Sequence, residues 1–208
     1  GVQALFIYPL NALIRSQKER LVSWLEAHDG QHRFALYNGD MKEEFPARSG
    51  TAFPASEVPD RKSLRQSPPP LLITNTTMLE LMLVRPQDRP ILDKSSGKLR
   101  WIVIDEAHSY TGSQAAEMTL LLKRTLQAFN VKPEDVRFIA TSATIGDQSE
   151  ESTRSLRRFL ADIAGCKEER VEIIRGYREI PQLSPLAGAA LDLAGLERDD
   201  MDLGPGVL

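Results

Sequence analysis

Short apolar runs alternate with stretches of helical spacing along most of this chain. Residues 4–8, Ala-Leu-Phe-Ile-Tyr, are continuously apolar and closed by Pro9, the pattern of a buried strand. From Leu10 onward, apolar residues recur at Leu13, Ile14, Leu21, Trp24 and Leu25, with Arg15, Lys18, Glu19 and Arg20 between them. That spacing predicts an amphipathic helix ending at Asp29-Gly30. Residues 34–37 predict a second strand, stopped at Asn38-Gly39, and residues 71–74, 101–104, 138–141 and 171–174 predict four more. Thr77 and Glu80 form a capping box for a helix reaching Val84. Ala115, Met118, Leu122, Leu126 and Phe129 share one helical face. Leu156, Phe159, Leu160 and Ile163 mark a last helix, with Gly165 as its C-cap. Trp24 and Trp101 read as core residues. Residues 40–70 break the rhythm with many turn formers and Pro68-Pro69-Pro70, so they read as a surface loop or insert. Strands alternating with helices predict an α/β fold, a parallel sheet covered on both faces, with ligands at the carboxyl ends of the strands.

Composition narrows this picture only a little. With 208 residues, 41% of them apolar and 26% charged, the chain is ordinary globular material. No apolar run approaches the roughly 20 residues that cross a bilayer, so no membrane is expected. The single Cys166 excludes a disulfide framework and a multi-cysteine zinc site, and it suits a reducing cytoplasm. No secretory signal is expected from the first residues. The net charge of −3 comes from the tail: residues 176–208 carry −4, which leaves +1 on the rest. Charge therefore neither demands nor forbids a nucleic-acid partner. The chain opens on strand-like sequence without Met and closes on Gly-Pro-Gly, so both ends read as cuts through a longer protein.

The candidate chemistry sits at the predicted strand ends. Asp105 and Glu106 follow four apolar residues, and two adjacent carboxylates would repel each other if charged and dry. A divalent cation resolves that conflict, with Asp105 holding it and Glu106 orienting or deprotonating a water. The plain alternative is a pair of acids at a helix start, where they are common. Pro9, Leu10 and Asn11 open the first helix, whose free amides could meet a phosphate, although Pro at a helix start is itself ordinary.

Six stretches together carry a family resemblance. Asp105-Glu106-Ala107-His108, followed by Ser142-Ala143-Thr144, resembles the paired motifs of a superfamily 2 DEAD/DEAH-box helicase in its first RecA-like domain. Tyr8-Pro9-Leu10-Asn11 resembles the motif that follows the phosphate loop there. Thr74-Asn75-Thr76-Thr77-Met78-Leu79 resembles a backbone-contacting motif of DNA helicases, with Thr76 where proline is frequent, and Asn38-Gly39-Asp40 resembles a small strand-touching turn. Arg85-Pro86-Gln87-Asp88-Arg89-Pro90 adds a local similarity to the large bacterial DNA helicases related to MrfA and Lhr.

The resemblance covers residues 3–175 and implies a RecA-like P-loop NTPase fold, incomplete at its N-terminus, that uses ATP and Mg2+. It implies Asp105 as the magnesium residue and Glu106 as the catalytic partner. His108, Ser142 and Thr144 would couple hydrolysis to movement. Pro9, Leu10, Asn11, Gly39, Thr74 and Asn75 would border the nucleic-acid track. Thr141 and Ala143 are assigned to packing. The family's Gly-x-Gly-Lys-Ser/Thr loop does not occur in these 208 residues and would lie upstream of Gly1. Residues 176–208 would link to a second RecA-like domain, and this chain alone is expected to hydrolyse ATP poorly. Two rivals stand beside this reading. One is a motor-like module that binds nucleic acid or a partner without catalysis. The other is an RNA helicase, and the Thr-Asn-x-x-Met-Leu segment favours DNA over it.

Overall fold

Five short strands carry the fold: β1 (Ala4–Tyr8), β2 (Phe34–Tyr37), β3 (Leu71–Asn75), β4 (Trp101–Ile104) and β5 (Arg137–Ala140). They pair in the order β2-β3-β1-β4-β5, every pair parallel. The computed structural model describes residues 1–26, 32–45, 53–110, 112–141 and 150–174. These lie in one unit, Gly1–Ile174. The central β1 sets the register, with Tyr8 beside Asn75 of β3 and Ile7 beside Ile104 of β4. All strands therefore finish at the same edge.

The strand pleat sorts the apolar side chains between two layers. Phe6, Tyr8, Phe34, Leu36, Leu71 and Ile73 face α1 (Asn11–Glu26), which contributes Ile14, Leu21, Val22 and Leu25. Leu5, Ile7, Ala35, Tyr37, Leu72, Ile102 and Ile104 share the larger core with four further helices. Those are α2 (Arg61–Gln66), α3 (Thr76–Val84), α4 (Arg89–Ser95) and α5 (Ser113–Ala128). Helix α5 buries Met118, Leu121, Leu122, Thr125 and Leu126, close to the predicted stripe. Helix α6 (Glu150–Ala164) adds Ile163 and ends at Gly165, whose φ of +63° is the left-handed C-cap its sequence predicts.

Several expectations change. The 40–70 stretch is not simply a surface loop: it contains α2, it buries Val58 and Leu64, and Phe34 bridges to Glu57. Polar residues, not apolar periodicity, tie it down, which is why its pattern reads as loop. Residues 171–174 form no strand, because they pair with none of the five described strands. Helix α3 is capped by Asn75, not Thr77: the Asn75 side chain accepts from the Met78 amide at 2.8 Å. Neither tryptophan is a core residue, since Trp24 is 62% exposed and Trp101 37%. Trp101 lies instead under the Arg137 guanidinium, 5.1 Å from the ring centre. The predicted Asp29-Gly30 stop falls outside the described residues.

Candidate functional site

Because the strands are parallel, their carboxyl ends line one edge in the order Asn38, Asn75, Pro9, Asp105, Thr141. The expected track residues occupy the β2-β3-β1 side and the expected hydrolytic residues the β4-β5 side.

On the hydrolytic side the backbone ladder runs past the strands. The Asp105 amide donates to the Ile7 carbonyl at 2.9 Å, and the Thr141 amide to that of Ile104 at 2.9 Å. The Ala107 amide then donates to the Thr141 carbonyl at 2.8 Å. These bonds fix the Asp105-Glu106 pair between the ends of β1 and β5. Glu106 takes a left-handed conformation, φ 51° and ψ 44°, unusual for a residue with a side chain. A single 3-10 turn, Ala107–Ser109, follows it.

Side chains complete this end. The Thr141 hydroxyl donates to Oδ1 of Asp105 in a short hydrogen bond, so Thr141 serves the site and is not merely packing. Tyr8 and Tyr110 stand close enough to feel the same carboxylate. Burial pushes both phenol pKa values up, and the Asp105 charge adds to it; at Tyr8, Arg20 pulls the other way. Asp105 and Glu106 are both partly open to solvent. A carboxylate with one oxygen on a threonine keeps the other for a cation. Mg2+ needs only one or two protein carboxylates beside water and phosphate oxygens, so the pair fits that ion. Among the described residues no cluster of three or more His, Cys, Asp or Glu offers a fuller metal cage. The His108 side chain, Ser142, Ala143 and Thr144 lie outside the described residues.

The track side is tied together by amides and hydroxyls. Asn75 Nδ2 donates to Oδ1 of Asn11 at 2.6 Å, joining two motifs 64 residues apart. Its Oδ1 is the cap of α3. Thr74 is fully buried and its hydroxyl donates to the Tyr37 carbonyl at 2.7 Å, so its side chain holds β3 to β2 and faces no ligand. Asn38 is also buried; its Oδ1 accepts from the amides of Asp40 and Met41, both at 3.1 Å, which shapes the turn. Gly39 at its tip is exposed, with open space where a Cβ would stand. Leu10 is 63% exposed and Asn11 opens α1. The structure thus brings Asn11 to Asn75 and Thr141 to Asp105, and it leaves Gly39 apart, in the turn after β2.

Sequence reasoning missed Thr141, Tyr8 and Tyr110. Thr141 came within one residue of being found: the observed register pairs Ile104 with Ala140, which sets Thr141 beside the first residue after β4.

The chain matches the model of the DEAD/DEAH box helicase family over residues 1–152. It belongs to that family. This helicase chain is 35% identical over 133 residues to Druantia protein DruE of Escherichia coli (strain UMEA 4076-1), a match covering 59% of the chain and 7% of DruE. It is 26% identical over 148 residues to YprA of Bacillus subtilis (strain 168), an uncharacterized ATP-dependent helicase, covering 71% of the chain and 17% of YprA. Crystal structures of the DUF1998 helicase MrfA also match. One has a TM-score of 0.55 at 23% identity, and one bound to DNA and AMPPNP has 0.52 at 24%. Each covers 79% of this helicase chain, which in turn spans 19% to 22% of MrfA. At such identity the likeness speaks for the RecA-like fold. The helicase chain thus spans between 7% and 22% of the length of these relatives. The expected family and the α/β parallel sheet are both borne out. Among the described residues no helix is long and apolar enough to cross a membrane.

Proposed function

We propose that this domain serves an ATP-dependent helicase or translocase that moves along a nucleic-acid strand, with DNA as the preferred track. The observation carrying the proposal is the Asp105-Glu106 pair, held between the ends of β1 and β5 with Thr141 on its first carboxylate. Asp105 would hold Mg2+ through water, and the ion, when bound, neutralises the charge building on the ATP phosphates. Glu106 orients the attacking water and accepts its proton. Thr141 fixes the Asp105 carboxylate, and His108, Ser142 and Thr144 relay the nucleotide state.

The other half of the edge holds the strand. The N-terminus of α1, behind Pro9 and Leu10, offers backbone amides to a phosphate. Asn11, Asn75 and Gly39 line the same side, and Thr74 fixes their spacing from within. Such contacts hold the phosphodiester backbone without reading sequence. DNA is favoured by the Thr-Asn-x-x-Met-Leu stretch and by likeness to MrfA, two of whose structures are bound to DNA. The catalytic cycle would be completed by a second RecA-like domain, to which residues 176–208 lead, and by a phosphate-binding loop outside these 208 residues. The lone Cys166 suits work in the cytoplasm.

The test is the ATPase rate of the full-length protein with Mg2+, measured alone, with single-stranded DNA and with single-stranded RNA. Stimulation by DNA well above RNA is expected. Stronger stimulation by RNA would change the track, and no ATPase under any condition would favour a non-catalytic binding module.

A further inference from the structure

Behind the Asn38–Met41 turn lies a buried polar cluster that neither hydrolysis nor strand contact uses. Asp88 is wholly buried, yet its carboxylate accepts from the Tyr37 hydroxyl at 2.6 Å and from Arg65 Nε at 2.8 Å. Arg65 also pairs with Glu43. Arg61 is only 8% exposed and lies over the Tyr37 ring, 4.8 Å from its centre. Its Nη2 donates to the Asn38 carbonyl and its Nε to that of Met41, both at 2.9 Å. The Arg61 and Lys62 amides donate to the Lys42 and Glu43 carbonyls, each at 3.0 Å. One guanidinium thus grips the turn at both of its ends.

Stability alone does not explain this arrangement. Burying a guanidinium and a carboxylate costs more than packing apolar residues of similar size. Moreover, Arg61 Nη1 is buried and has no hydrogen-bond partner among the described residues, a further cost. What the cluster provides is a planar fork of fixed direction, which an apolar core could not offer to two carbonyls.

We propose that Arg61, seated on the Tyr37 ring that Asp88 anchors, is a positioning residue that holds the Asn38-Gly39-Asp40 turn in the shape that grips the nucleic-acid backbone. The proposal rests on the reading of this edge as the track. The turn ends β2, three strand spacings from β4, which is about 14 Å. Losing Arg61 therefore weakens strand binding and leaves the hydrolytic carboxylates in place.

The test uses the full-length protein and a single-stranded DNA oligonucleotide, with ATPase rate read against DNA concentration. For Arg61→Met, the half-saturating DNA concentration rises about tenfold while kcat at saturating DNA stays within about twofold. Arg61→Lys recovers part of the loss, because it keeps the charge but not the fork. Tyr37→Phe keeps the ring under Arg61, drops only the bond to Asp88, and shifts the same parameter by about threefold. This milder variant decides the matter if Arg61→Met fails to fold. An unchanged half-saturating concentration in the folded variants overturns the proposal, as does a fall in kcat of the same size as the loss of affinity. A wild-type protein that neither binds DNA nor is stimulated by it overturns the track reading itself, and that result is visible without any variant.

Discussion

The two halves of the strand edge are built by different rules. At the β2-β3-β1 side, the polar side chains are engaged with each other and with the backbone: Asn38 within its turn, Thr74 on Tyr37, Asn75 on both Asn11 and Met78. At the β4-β5 side, the chain fixes its backbone with three cross-strand bonds but leaves two carboxylates partly open, one of them on a left-handed residue. The first side is a finished scaffold, which suits the proposed role of presenting a constant shape to a repeating polymer. The second holds charge and strain that a ligand can relieve, a common condition of reacting centres.

The sharpest way to break this contrast is Glu106→Gln. In the full-length protein it should lower ATP turnover by roughly 100-fold or more while sparing ATP binding. Steady-state ATPase and nucleotide titration check it, and unchanged turnover would remove Glu106 from the chemistry. A smaller effect is expected from Thr141→Val, which takes the hydroxyl from Asp105: turnover should fall about tenfold, and Thr141→Ser should restore most of it. Circular dichroism should show the fold intact in both.

On the scaffold side the expected effects are on stability and binding. Asn75→Ala removes the α3 cap and should cost about 1 kcal/mol, read by chemical denaturation. Asn75→Asp keeps the cap acceptor but replaces the donor to Asn11 with a negative oxygen. It should hold stability near wild type and still weaken DNA binding. DNA binding at the wild-type level in Asn75→Asp would mean that Asn75 acts only as a cap.

The smallest expected effect concerns Tyr37. Burial, then the bond and charge of Asp88, push its pKa from 10.0 to about 12, against the opposing pull of Arg61. The folded state therefore keeps this proton after the unfolded chain has lost it. Its contribution is complete below about pH 10 and disappears as the pH climbs through about 12. Tyr37→Phe should flatten the fall of stability across that window, measured by denaturation at successive pH values. An unchanged slope would mean that another group dominates there.

Much of the hydrolytic end was legible in the sequence, because short apolar runs define strands and the residue after a run must stand at the sheet edge. Asp105 and Glu106 are in that position. Thr141 was misassigned because strand length is uncertain by a residue at each end, enough to move a side chain from packing to site. The scaffold end was harder to read. Asn75 looks like a surface contact in sequence, but its cap on Met78 appears only once β3 is known to end there. Arg61 left no trace and Asp88 appeared only within a local family similarity, since buried polar clusters have no periodicity. Residues 40–70 hide a helix for the same reason: α2 has six residues and buries only Arg61 and Leu64.

The Asn75 cap also gives the scaffold a polarity. A side-chain amide has one accepting end and one donating end, and that of Asn75 cannot turn over without abandoning the Met78 amide. Its donating end then meets the Asn11 oxygen. The nitrogen of the Asn11 amide is the end that this pair leaves unengaged. A half-buried helix cap thus biases the start of α1 toward acceptors, such as the unesterified oxygens of a phosphodiester.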